Sequence, residues 1–158
     1  SVAALGCGRE SGRAQDAPIH YREELTRINE RQADLNQRID RRPLHDDPIS
    51  GFVPFLDQFI PVMVEYHTAI SRLNAPASVS QAHHDVETGL SDLIEVSHDL
   101  RNALVSPSVE PDQSLGLLDE FIADTSRIER ACRSIERELA TGFDSLFCGD
   151  LFETAFEQ

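Results

Sequence analysis

Residues 77–105 read ASVSQAHHDVETGLSDLIEVSHDLRNALV and set the pattern for the rest of the chain. Their apolar or near-apolar positions recur in alternating steps of four and three residues, the spacing of a helix face that packs in a bundle. These seam positions are Val79, His83, Val86, Leu90, Leu93, Ser97, Leu100 and Leu104. The stretch therefore predicts a helix about 43 Å long, which begins after Pro76 and ends before Pro107.

Two further segments of the 158-residue chain have the same periodicity, and a third, between the first helix and Pro76, is more hydrophobic. The first helix is predicted over Ile19–Arg41, the second lies between Phe52 and Leu73 and is kinked or restarted at Pro61, and the fourth begins near Asp112. The seam of the first helix is Tyr21, Leu25, Ile28, Gln32, Leu35 and Ile39. The seam of the fourth helix is Leu118, Phe121, Thr125, Ile128, Cys132, Ile135 and Leu139. Four long amphipathic helices with short loops predict an all-α, antiparallel up-down-up-down four-helix bundle.

The two ends of the chain are predicted to differ from this bundle. Residues 1–16 are expected to form a flexible leader, either the end of a signal peptide or the tether of a lipid anchor, and residues 17–158 the bundle domain. The segment from Asp150 to Gln158 retains Leu151, Phe152 and Phe156, which predicts a short C-terminal helix that folds back onto the bundle.

The N-terminal run Ala4–Cys7, with the sequence ALGC, resembles a bacterial lipobox, in which the cysteine becomes the lipid attachment site. It departs from the usual pattern because leucine stands two rather than three places before the cysteine. The run Leu73–Pro76, followed by His83, is similar to a helix start in small bacterial lipoproteins of helical-bundle type. The resemblance implies a lipid anchor on Cys7 and a place in the bacterial envelope, on its periplasmic or extracellular face. The alternative is an ordinary cysteine in a flexible leader.

Cys132 and Cys148 form an even pair once Cys7 is set aside, which is the number expected for one disulfide in an oxidising compartment. On one continuous helix they would lie roughly 24 Å apart, beyond the reach of a disulfide. A bridge therefore requires the chain to reverse after Gly142. Otherwise Cys132 is a small buried apolar residue on the seam of the fourth helix.

Histidines and neighbouring carboxylates on the second and third helices are candidate ligands for a metal ion or a small molecule. Glu95 and His98 have the Glu-x-x-His spacing of di-iron bundles, and His83 with Glu87 lies on one helix face, but neither motif has the partner motif that a complete site needs. The candidate ligands are His67, His83, Glu87, Glu95 and His98. No cofactor is predicted, and the sequence contains no phosphate-binding loop and no nucleophile motif.

The chain carries 28 acidic and 14 basic residues, a formal net charge of -14, and every basic residue other than histidine is arginine. This charge argues against nucleic acid as a partner, because phosphates would be repelled. Nine acids and one base, Arg72, lie between Pro43 and Leu100, so the second and third helices are expected to present an acidic surface. That surface is either a solvated face or a site for a basic protein partner or divalent cations. The arginines and acids of the first and fourth helices can pair with one another.

Two functions follow from these features. The first is a non-enzymatic, exported or lipid-anchored bundle that acts as an interaction or accessory subunit at a bacterial envelope. It would have a membrane contact through Cys7 and a protein partner, and a basic partner would suit the acidic surface. The alternative is a bundle that binds a small ligand or metal, with a cavity between the second and third helices. In that alternative His67, His83 or His98 would point inward, near Pro61 and Gly89.

Overall fold

The computed structural model describes residues 10–47, 49–139 and 148, with residues 10–16 described by their backbone. It confirms the all-helical class, since these residues contain four substantial helices and no strand. The helices are α1 (Glu10–Gln37), α2 (Arg42–Asp46), α3 (Phe52–Ile70), α4 (Ser80–Val105) and α5 (Pro111–Leu139), and a 3₁₀ turn (Ala77–Val79) precedes α4. The predicted C-terminal helix and residues 1–9 of the predicted leader lie outside the described residues.

The first helix differs from its prediction at both ends. It begins at Glu10 rather than Ile19, so residues 10–16 of the predicted flexible leader are helical. Arginine, glutamine and alanine in this stretch favour a helix, and Pro18 removes one backbone donor without ending it. The helix ends at Gln37 rather than Arg41, because the backbone amides of the next two residues turn back to the carbonyls of Leu35 and Asn36, three residues earlier.

The connection predicted between the first two long helices contains the short helix α2. Pro43 lies in its first turn, where the missing backbone N–H removes no helical hydrogen bond. Gly51 then leads into α3, and a Cβ at this position would lie 2.0 Å from the carbonyl oxygen of Pro43. Only glycine fits this close approach. α3 itself continues through Pro61 as one uninterrupted helix.

The core lies where α3, α4 and α5 meet, and it has a cluster of aromatic rings at its centre. The ring of Phe59 lies 5.3 Å from that of Phe55 and 5.4 Å from that of Phe121, measured between centroids, which ties α3 to α5. The α4 seam is confirmed, since every predicted position is buried except the half-buried Leu104. Five of the predicted α5 positions are also buried, and Leu118 and Leu139 are half-buried. The five are Phe121, Thr125, Ile128, Cys132 and Ile135.

The seam predicted for α1 is wrong at two positions. Ile28 and Leu35 are only half-buried, and the neighbouring Asn29 and Asn36 are buried instead, with 0% and 3% of their surface exposed. Asn29 is held there by hydrogen bonds: its carbonyl oxygen accepts from the hydroxyl of Tyr66 at 2.8 Å, and its amide nitrogen lies 3.6 Å from the sulfur of Cys132. These bonds offset the cost of removing the amide from water.

Ion pairs connect consecutive long helices. Arg31 of α1 pairs with Glu65 of α3 at 3.2 Å. Asp57 of α3 pairs with Arg101 of α4, and Asp92 of α4 with Arg127 of α5, both at 2.5 Å. The acids of the two middle helices are therefore partly neutralised by arginines of their neighbours. The first and last helices supply two of these arginines, but to the middle helices rather than to each other.

Two glycines inside long helices have different surroundings. A Cβ on Gly89 would lie 2.7 Å from Cγ1 of Ile128, so α4 and α5 approach closely at this point. Apart from the backbone of its own helix, a Cβ on Gly116 would meet no atom of the described residues within 4 Å. The general preference for alanine over glycine in a helix therefore applies at Gly116 but is opposed by a clash at Gly89.

We expect Gly89→Ala to lower the free energy of unfolding by about 1–2 kcal/mol, because overpacking outweighs the gain in helix propensity. The matched variant Gly116→Ala should raise the free energy of unfolding by up to about 1 kcal/mol. Urea unfolding followed by far-UV circular dichroism measures both changes. Equal stabilisation by the two substitutions would show that α4 and α5 are not in close contact at Gly89.

Candidate functional site

The predicted ligand residues do not converge on one point. His83 is buried, Glu87 and His67 are half-buried, and Glu95 and His98 are exposed. Within residues 10–47, 49–139 and 148, no three histidine, cysteine or acidic side chains are arranged to hold a metal ion. The described clefts that bear on a ligand site lie between α1 and α3 and between α4 and α5, whereas the alternative hypothesis placed its cavity between the second and third helices.

His83 links α4 to α1 through a buried hydrogen bond. Its Nδ1 lies 2.9 Å from the hydroxyl of Tyr21, and its Nε2 lies 3.9 Å from a carboxylate oxygen of Glu87. Burial lowers the pKa of His83, an effect that the carboxylate of Glu87 opposes and the neighbouring His84 reinforces. Burial and Glu87 both raise the pKa of Tyr21, which therefore keeps its proton and donates it to the neutral imidazole.

A disulfide joins Cys132 of α5 to Cys148, with their Cα atoms 5.6 Å apart. Of the two possibilities that the sequence left open, the structure has the bridge, so the chain returns to α5 after the helix ends. Both cysteines are buried, and Asn29 of α1 contacts the sulfur of Cys132. The cysteines are 16 residues apart, and a loop of that length corresponds to a stabilisation of about 3 kcal/mol.

An acidic groove of about 350 Å³ lies between α4 and α5. Five carboxylates and two apolar residues define this acidic groove. The lining consists of Asp92, Glu95, Val96, Asp99, Glu120, Ala123 and Asp124. Arg127 neutralises one end, where it contacts Asp92 at 2.5 Å and Asp124 at 3.3 Å. Burial raises the pKa of Asp124; Arg127 opposes this effect, whereas the charges of Asp92 and Glu120 add to it.

A second cleft runs between α1 and α3, on the side where Ile28 and Leu35 are left half-buried. It has two parts, of about 510 Å³ and 140 Å³, which share Ile28 and Ala69 in their linings. The periodicity of the sequence does not predict this cleft, because it places both apolar residues of α1 in the core. The available signal was Asn29 and Asn36, which each follow an apolar seam position by one residue and have helical spacing with the polar seam residue Gln32.

The search for similar proteins adds no family to this description. No protein-family model matches the chain, and comparisons with curated proteins and with solved structures find no match. Among the described helices, none combines the length and the apolar character that a membrane crossing requires. The function is therefore argued from the geometry of the chain itself.

We expect the stability of the protein to fall as the pH drops below about 6.5, the usual pKa of histidine, because the unfolded chain binds a proton that buried His83 resists. The contribution is fully present above that pH and is lost as the pH falls through the lower pKa of the folded state. His83→Asn keeps an acceptor for the Tyr21 hydroxyl but has no group that titrates. Between pH 7 and pH 5.5 this variant should therefore lose less stability than the wild type, in which the pKa of His83 is lowered on folding.

Urea unfolding at a series of pH values measures this difference. The matched control is His98→Asn, because His98 is an exposed histidine on the same helix and its replacement should leave the wild-type pH dependence in place. Parallel pH profiles for the wild type and His83→Asn would contradict the role given to His83.

Proposed function

We propose that this chain is a non-enzymatic, exported or lipid-anchored helical bundle that acts as an interaction or accessory subunit at a bacterial envelope. The observation that carries the proposal is the acidic groove between α4 and α5, which would receive a basic segment of a partner protein. The four long helices would be arranged antiparallel, in up-down-up-down order.

The acidic groove suits a basic partner because its charges are only partly neutralised within the chain. Glu95, Asp99 and Glu120 line it away from Arg127. Crowded carboxylates favour a nearby cation, and an arginine or lysine of a partner would supply it with charge-assisted hydrogen bonds. The net charge of -14 would also draw such a partner in over a longer range. Val96 and Ala123 offer apolar contact between the charges.

The proposed location at the bacterial envelope rests on the cysteines. A buried disulfide between Cys132 and Cys148 is typical of proteins that fold in an oxidising compartment, such as the periplasm or the cell exterior. The lipobox-like run that ends at Cys7 points to the same compartment. A lipid on Cys7 would hold the domain at a membrane that its acidic surface would not otherwise favour.

The proposed antiparallel order is supported by the direction of the contacts between neighbouring helices. Arg31 pairs with Glu65. Asp40, which comes after Arg31 in the chain, donates its backbone amide to Gln58, which comes before Glu65. Residue numbers thus rise along α1 as they fall along α3. Gly89 beside Ile128 and Asp92 beside Arg127 give the same sense for α4 and α5.

We expect a fluorescein-labelled octa-arginine peptide to bind the protein with an affinity that falls as salt rises. The triple variant Glu95→Gln, Asp99→Asn, Glu120→Gln should weaken binding by about tenfold or more, because it removes three charges from one groove. Fluorescence anisotropy at a series of salt concentrations measures the affinity.

The matched control for the groove removes the same number of charges from exposed carboxylates elsewhere, as Glu23→Gln, Glu30→Gln, Glu138→Gln. It should weaken binding much less than the groove variant. Equal losses in the two variants would mean that the peptide responds to net charge alone, and the groove would then not be the docking site.

Intact mass measurement tests the proposed location. The protein is extracted from the cells that make it and is kept unreduced. We expect the mass of a chain that begins at Cys7 with a diacylglyceryl group and an acyl chain added, and with two hydrogens lost to the disulfide. Reduction should restore the two hydrogens. An unmodified chain that retains Ser1 would remove the support for the lipid anchor, and free thiols at Cys132 and Cys148 would remove the support for export.

A further inference from the structure

We propose that the acyl-sized cleft between α1 and α3 binds a single acyl chain with an anionic head group. The cleft is the combined lining of the two parts that meet at Ile28 and Ala69. The inference is independent of the acidic groove, which lies between different helices. It rests on the orientation of α1, on the length and lining of the cleft, and on the charge at one end.

The orientation of α1 places apolar side chains in the cleft that could otherwise have been buried in the core. Asn29 and Asn36 face the core, while the adjacent Ile28 and Leu35 are left half-buried. A helix packed for burial alone would take the opposite orientation, because apolar side chains gain most from leaving water. The apolar surface kept in the cleft is therefore available to an apolar ligand.

The cleft is long enough to hold an acyl chain. Its lining extends along α1 from Ala17 to Leu35, which is roughly 27 Å at the helical rise per residue. One acyl chain spans half of the hydrocarbon core of a bilayer, roughly 15 Å. Ile28 and Ala69 belong to both parts, so the apolar surface continues from one part to the other. Both volumes, about 140 and 510 Å³, together lie within the usual range of small-molecule sites.

One positive charge is left over in the lining of the cleft, and it favours an anion. The two parts together contain three arginines and two glutamates, in a protein whose net charge is -14. Arg27 pairs with Glu24, and Arg31 pairs with Glu65. Arg72, which lines the wider part beside Leu73, forms no side-chain hydrogen bond or ion pair within the part of the chain that the structure describes. It is placed to pair with a carboxylate or a phosphate at the end of an acyl chain.

The test is a fluorescence titration of the full chain with cis-parinarate, a fluorescent fatty acid, followed by displacement with unlabelled ligands. Palmitate and lysophosphatidylglycerol distinguish a carboxylate from a phosphate head group, and hexadecanol lacks the charge. We expect palmitate, lysophosphatidylglycerol or both to displace the probe more strongly than hexadecanol. Equal displacement by the uncharged alcohol would overturn the assignment of an anionic head group.

Two substitutions test the two halves of the site. Ala69→Trp fills the point where the two parts of the cleft meet, and it should abolish binding of parinarate. Arg72→Gln should weaken binding of the anionic ligands by about tenfold and leave hexadecanol unaffected, since only a charge-assisted hydrogen bond is lost. The matched controls are Ala123→Trp, in the acidic groove, and Arg130→Gln, an exposed arginine of α5; both should bind as the wild type does.

Circular dichroism and the midpoint of thermal unfolding establish that each variant is folded before its binding is compared. Failure of the wild type to bind parinarate, or undiminished binding by folded Ala69→Trp, would overturn the proposal. So would a dimer in light scattering that Ala69→Trp dissociates, because a second copy of the chain would then occupy the cleft. If Ala69→Trp does not fold, Ala69→Leu, a smaller addition at the same point, gives the same comparison.

Discussion

The rest of the structure depends on the hydrogen bonds that Asn29 makes inside the protein. Its side chain accepts from Tyr66 of α3 and contacts the sulfur of Cys132 of α5, so one amide connects three helices and the disulfide. An amide in an apolar core is costly unless it is hydrogen-bonded. The rotation of α1 about its axis is thereby fixed, since a small turn of this helix would break both contacts.

This constraint determines what the surface of the protein offers. With its amides turned inward, α1 leaves Ile28 and Leu35 beside α3, where they line a cleft that has Arg72 at one end. The opposite pair of helices, α4 and α5, packs closely at Gly89 and has the acidic groove on its outer side. The molecule thus has two clefts with different linings, for which we propose an anionic amphiphile and a basic segment.

Much of the fold could be predicted from the sequence. The seams of α4 and α5 follow from local spacing, because most of their buried residues are apolar and recur at every turn of the helix. For α1 the same reading failed at Ile28 and Leu35, since it assigned apolar residues to the core. The partners that hold Asn29 inward are 37 and 103 residues away, and periodicity within one helix carries no information about them. The acyl-sized cleft could not be predicted for the same reason.

The sequence by itself determined that the chain is helical, where the seams of α4 and α5 run, and how acidic its middle section is. Those properties depend on residues a few positions apart. The tertiary structure decided which face of α1 turns inward, whether Cys132 meets Cys148, and which carboxylates share a groove. The physical reason is that hydrogen bonds, disulfides and electrostatic crowding act between side chains that are close in space, however far apart they are along the chain.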